Sequence, residues 1–205
     1  MESSTIKLPD AQHLLAAKAL SSAFSADPIV SHFLPGSEAE KLNAIEQISA
    51  AMLRFAQPYN QIYTTIDVPK GVAIWLPPDA TSESQLWQLF QSGLFLAPIY
   101  LRWDRIADAV PFLIRELGTR KQQMPEPHWY LMMLGVAPEY QGQGVGGELI
   151  APILQRADRE KTPCYLETST EGGVRFYQRH GFEIVHSTVV AHKLRYWSMK
   201  RDPKN

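Results

Sequence analysis

At 205 residues, 45 % hydrophobic and 20 % charged, the chain is the size of one globular domain and long enough to bury its own core. Its net charge is −1 with no basic cluster, which argues against a nucleic-acid partner. A single cysteine excludes an intrachain disulfide, no apolar run reaches membrane-span length, and Met1 to Ser4 lacks a signal peptide's basic and apolar regions; the expectation is one domain over 1–205, cytoplasmic, with no membrane partner.

Thr5 to Leu8 reads as a short strand. Asp10 is placed to cap a helix carrying Leu15, Ala16, Ala19, Leu20, Ala23 and Phe24 on one face. Asp27-Pro28 and Leu34-Pro35-Gly36 read as loops. Residues 38–56 form a second helix, with Leu42, Ile45, Ile48, Met52 and Phe55 at helical spacing. Gln61 to Asp67 and Gly71 to Leu76 make a hairpin turning at Val68-Pro69-Lys70-Gly71, and Pro77-Pro78 ends it.

Residues 82–123 interrupt the strands with helix. Trp103, Ile106, Ala107, Val110, Leu113, Ile114 and Leu117 form an amphipathic stripe, and Pro111 is expected to start, bend or split that helix. Trp129 to Val136 is apolar on both faces, as in a central strand covered on two sides. A helix from about Gln143 to Arg159 follows, with Gly146, Leu149, Ile150, Ile153, Leu154 and Ala157 on one face and Pro152 expected to bend it locally. Cys164 to Thr168 is a strand and Thr170 to His180 a short helix closed by Gly181, with Phe182 packing behind. Strands at roughly 182–190 and 193–200 complete a mixed α/β fold.

The segment Gln141-Gly142-Gln143-Gly144-Val145-Gly146-Gly147 carries the chemistry. An anion site needs several backbone N–H groups converging at a helix N-terminus, where the dipole adds positive potential. Glycines leave the approach clear of Cβ atoms. Gly142, Gly144 and Gly147 also match G-x-G-x-x-G, with Glu167 about 20 residues on, as in a dinucleotide-binding unit. That reading fails because Ala137 to Gln141 separate strand from glycines, and too little chain follows Glu167 for further parallel strands.

Gln141-x-x-Gly144-x-Gly146 resembles the Q/R-x-x-G-x-G/A signature of the GNAT superfamily of N-acetyltransferases. Pro127-His128-Trp129-Tyr130-Leu131, Leu134-Gly135-Val136-x-Pro138, Leu166-Glu167-Thr168-Ser169 and Val174-Arg175-Phe176-Tyr177 are similar to its puromycin N-acetyltransferase-like branch. The resemblance covers about residues 125–185, with a weaker stretch at Val72 to Pro78. It implies a GNAT-like fold with a mixed sheet of about six or seven strands, whose parallel central strands, at 129–136 and 164–168, splay apart. It implies acetyl-CoA as co-substrate without a metal, pantetheine pairing with Leu134, Gly135 and Val136, and the 141–147 amides holding the pyrophosphate. The implied reaction is direct attack of a primary amine, of a small molecule, on the thioester in a ternary complex. Alternatives within reach are a protein-lysine or N-terminal acetyltransferase, or a non-catalytic acyl-CoA-binding module. Monomer and homodimer both remain open.

Tyr177 matches the family's tyrosine that protonates the departing thiolate; its phenol, with a reference pKa of about 10, is protonated at neutral pH. Glu167 and His128 are candidate bases, weighed against structural roles and a water chain. Gly172-Gly173 stands where many members place an Asn that contacts the cofactor. Cys164, without a histidine partner in sequence, reads as a buried core thiol. Trp87, Phe90, Phe95, Tyr100 and Trp103 in the insert are aromatic enough to wall an acceptor pocket or to pack the insert down.

Overall fold

A computed structural model describes residues 5–34, 36–80, 88–89, 91–100, 106–190 and 194–204. The strands are β1 (Thr5–Lys7), β2 (Ile62–Thr65), β3 (Gly71–Leu76), β4 (Trp129–Val136), β5 (Cys164–Thr168), β6 (Glu183–Val190) and β7 (Leu194–Arg201). They form one sheet in the order β1-β2-β3-β4-β5-β7-β6. Only β4 and β5 pair in parallel; the other neighbours are antiparallel. The helices are α1 (His13–Phe24), α2 (Pro28–Phe33), α3 (Glu38–Ala56), α4 (Ile106–Gln123), α5 (Val145–Glu160) and α6 (Glu171–Arg179). The expected mixed α/β architecture is the one observed, with seven strands.

Period-2 alternation along β3 divides the core between the two sheet faces. Ala73 and Trp75 join Trp129, Leu131, Leu166 and the buried side of α5, whose Leu149, Ile150, Ile153 and Leu154 recur at helical spacing. Val72, Ile74 and Leu76 point the other way, against α1 and α3. Trp75 and Trp129 are fully buried, and side chains of that size each contribute about 2–3 kcal/mol by leaving water. Cys164 is also fully buried, and desolvation pushes its thiol up to about 12, so it is the inert core residue expected.

Several local expectations need correction. Asp10 does not cap α1; it lies in a short 3-10 turn, where its carboxylate accepts from Gln57 Nε2 at 2.9 Å. Leu15 is 46 % exposed, and Ala17 takes its place on the buried face. Asp27-Pro28 is a helix start: Asp27 Oδ1 accepts from the amides of Ile29 and Val30, and Pro28 fills the first helical position, where no N–H is needed. Pro111 neither starts nor splits α4, which runs through it from Ile106. α5 likewise runs unbroken through Pro152. In α5 one missing backbone bond is outweighed by a continuous apolar face.

Within the insert, Tyr100 packs on Leu34, Ala44 and Ile45, and Phe112 stacks on Phe33 and meets Tyr196 edge to face. Trp87, Phe90 and Trp103 lie outside the described residues, as do the side chains of Phe95, Ile106, Ala107, Val110, Leu113, Ile114 and Leu117.

The C-terminal strand is anchored by a pair that sequence reasoning missed. Arg201, 3 % exposed, donates Nη1 and Nη2 to the two oxygens of Asp158 at 2.8 and 2.7 Å, and Nε to the His180 carbonyl. These bonds hold the Asp158 carboxyl below its ordinary value. Asp158→Asn leaves a buried guanidinium without its counter-charge and is expected to cost about 2–3 kcal/mol. Because the folded-state pKa is depressed, the pair stabilises above the unfolded pKa and that stability is lost as pH falls through the folded value. Urea titration at pH 7 and at pH 3 checks this: the gap between parent and variant should narrow in acid.

Candidate active site

β4 and β5 are in register at Trp129↔Cys164, Tyr130↔Tyr165 and Leu131↔Leu166, and there their pairing ends. β4 continues to Val136 against β3 alone. The break coincides with a bulge: Ile74 faces Met133 but Trp75 faces Leu131, so Met132 is one residue too many. A bulge bends its strand and increases local twist, which turns the rest of β4 away from β5. The result is a wedge open toward the strands' C-terminal ends, with the backbone edge of residues 132–136 along one side.

The extra residue also resets which way β4 points. Tyr130, Met132 and Met133 lie on the α1–α3 face, whereas Leu131, Leu134 and Val136 lie on the α5 face. Gly135 then falls beneath α1, where a Cβ would stand 2.9 Å from Leu20 Cδ2 and 3.0 Å from Ala23 Cβ. No side chain fits there.

The wedge leads into the glycine loop. Gln141 Nε2 donates to the Val136 carbonyl at 2.9 Å and Gln143 Nε2 to the Glu139 carbonyl at 2.9 Å, which fix the loop to the strand end. Gly144 is the N-cap of α5 at φ 87°, a conformation that non-glycine residues reach only under strain. Among the described residues, none accepts a hydrogen bond from the amides of residues 142–146. Five successive donors at the start of a 16-residue helix suit a polyanion. Gly146 and Gly147 have a different reason to be small: Cβ atoms there would sit 3.3 Å from Phe176 Cζ and 3.0 Å from His180 Nε2, so they let α6 approach α5.

α6 carries Tyr177. Thr170 caps the helix by accepting from the Gly173 amide, and Gly181 ends it at φ 87°, with the Phe182 amide bonding back to the Tyr177 carbonyl at 3.1 Å. Tyr177 is 8 % exposed between the rings of Phe176 and Phe182, and burial raises its phenol well above the ordinary value. Its hydroxyl donates to none of the described residues.

Glu167 is the first β5 residue beyond the last β4 pair, and it accepts a hydrogen bond from the Tyr130 hydroxyl. Burial, then the Glu167 charge, drives the Tyr130 phenol upward. Glu167 thus lies on the α1–α3 side of the apex, and Tyr177 on the α5–α6 side. Ser169, just past β5, hydrogen-bonds to Asp27 Oδ2 at the α1–α2 corner, which ties that corner across the wedge. His128 lies upstream of the apex with Nδ1 2.8 Å from the Glu126 carbonyl, and burial lowers its pKa. The pairings of Tyr130 with Glu167 and of Ser169 with Asp27 are not legible in the sequence; only contacts between distant segments reveal them.

Residues 108–184 match the model of the acetyltransferase (GNAT) domain. An uncharacterized N-acetyltransferase of Schizosaccharomyces pombe is 23 % identical over 171 residues, 82 % of this chain and 69 % of that one. The GNAT fold extends beyond the matched segment. A Corynebacterium glutamicum structure named as histone acetyltransferase HPA2 and related acetyltransferase superposes with a TM-score of 0.68 at 19 % identity, over 100 % of this chain and 98 % of the other. Arylalkylamine N-acetyltransferase 2 from Aedes aegypti gives 0.59 at 14 % identity, over 98 % of each chain. Among the described residues no helix is long and apolar enough to cross a membrane, and no cluster of three His, Cys, Asp or Glu side chains is placed to hold a metal.

Proposed function

We propose that this GNAT domain acetylates the primary amine of a small molecule, by direct attack on acetyl-CoA in a ternary complex, as in the puromycin N-acetyltransferase-like branch it resembles. The observation that carries the reading is the continuity of the wedge with the five amides at the head of α5. Gly142 to Gly147 suit the pyrophosphate, and the edge of β4 from Leu134 to Val136 suits the amides of pantetheine. Bound acetyl-CoA supplies the electrophilic thioester carbonyl.

The chain's part is to position and to manage protons. A backbone N–H near Val136 steadies the oxygen that gains negative charge. Tyr177 gives its phenolic proton to the departing sulfur as the C–S bond breaks; the burial that raises the phenol also raises the basicity of a thiolate beside it. On the opposite side, Glu167 takes the proton released as the N–C bond forms, directly or through water. Gly172 and Gly173 add no side-chain contact to the cofactor.

Calorimetric titration with acetyl-CoA, followed by free-thiol release across a panel of small amines, tests the proposal. Amine-dependent thiol release is expected. Tight acetyl-CoA binding with no amine-dependent release would instead indicate a binding module, and acetylation confined to protein amines would move the acceptor class.

A further inference from the structure

A pocket of about 270 Å³ opens beside the wedge apex, lined among others by Leu76, Pro78, Arg120, Met124, His128 and Tyr130. Its wall mixes apolar side chains with four polar ones, Arg120, Glu126, His128 and Tyr130. Glu126 at its rim is engaged by Lys200 at 3.2 Å, and His128 is shifted toward its neutral form by burial. Arg120, in the last turn of α4, is different. Its guanidinium carbon lies 4.3 Å above the centre of the Tyr130 ring, and its side chain makes no ion pair or hydrogen bond with a described residue.

A guanidinium laid over an aromatic ring uses its face for that contact and keeps its in-plane N–H donors for a planar oxyanion. Among the described residues this cation has no carboxylate partner for its strongest bonds, the bidentate ones. The Tyr130 ring has Arg120 over its face and Glu167 at its hydroxyl. Anion receptor and apex carboxylate are therefore about one aromatic ring apart.

We infer that this pocket receives the acceptor, and that the acceptor is an amine bearing a carboxylate, its carboxylate on Arg120 and its amine directed to Glu167. The inference rests on the acetyltransferase reading above and narrows it to amino-acid-like amines with a short apolar spacer. Arg120 is a specificity-determining residue here, not a catalytic one.

Matched pairs of probes test it: 4-(aminomethyl)benzoate against benzylamine, and 6-aminohexanoate against hexylamine. The parent should favour the carboxylate member of at least one pair by tenfold or more in kcat/KM. Arg120→Gln should shrink that ratio at least tenfold, mainly through KM, and Arg120→Lys should restore part of it. A ratio near one in the parent, or the same ratio in Arg120→Gln, overturns the inference. Direct titration of 4-(aminomethyl)benzoate, with and without CoA, needs no turnover: binding weakened tenfold by Arg120→Gln supports the pocket, and unchanged or absent binding overturns it. Failure to bind acetyl-CoA would sink the enzyme reading separately.

Discussion

Tyr177→Phe is expected to lower kcat by about 10²–10⁴-fold while acetyl-CoA affinity stays within about twofold. The ring remains wedged between Phe176 and Phe182, so packing survives. The hydroxyl bonds to no described residue, so its removal strands no partner. The hydroxyl is not among the fully buried unpartnered polar atoms, so the Phe variant should be about as stable as the parent. A structural hydroxyl behaves oppositely, costing stability and sparing turnover. Thermal unfolding and steady-state kinetics on one preparation separate the two. A variant within about threefold of the parent kcat would remove Tyr177 from the mechanism.

Gly144→Val is expected to weaken acetyl-CoA by about 100-fold or more. A Cβ at this position meets no atom within 4 Å, so crowding by the protein is not the cause. The cause is φ 87°, which a β-branched residue adopts only at a cost of about 1–3 kcal/mol. Relaxing that strain rotates the peptide planes on either side and turns their amides from the common point. Losing two charge-assisted hydrogen bonds at about 1.5–3 kcal/mol each accounts for the magnitude. Calorimetry should show the loss with far-ultraviolet circular dichroism unchanged; retained affinity would place the pyrophosphate elsewhere.

What sequence disclosed here was mostly what short segments decide. The cap at Gly181, the α5 stripe and the glycine loop at a helix start depend on residues within one or two turns, and all three are found. The splay of β4 and β5 was available only through family resemblance, because Trp129 to Val136 is apolar throughout and Met132 carries no mark as a surplus residue. Asp158 with Arg201, Tyr130 with Glu167 and Asp27 with Ser169 join segments far apart in the chain. Long-range register brings them together, which no local pattern encodes. Leu15 is exposed for a related reason: the packing of α1 on α3 and the sheet buries Ala17 instead of its larger apolar neighbour.

The surplus residue at Met132 also switches the parity of everything downstream on β4. With it, odd-numbered residues face α5 before the bulge and even-numbered ones after it. Removing residue 132 would make Leu131 and Met133 successive partners of Trp75 and Ile74, restoring strict alternation while Leu134 and Val136 still face α5 and Gly135 stays beneath α1. That deletion thus spares the packing on both faces and takes away only the local bend and twist that part β4 from β5. Removal of residue 132 should leave a folded chain whose wedge is narrower and whose acetyl-CoA binding, read by calorimetry, is weaker; Met132→Ala keeps the bulge and should bind as the parent does.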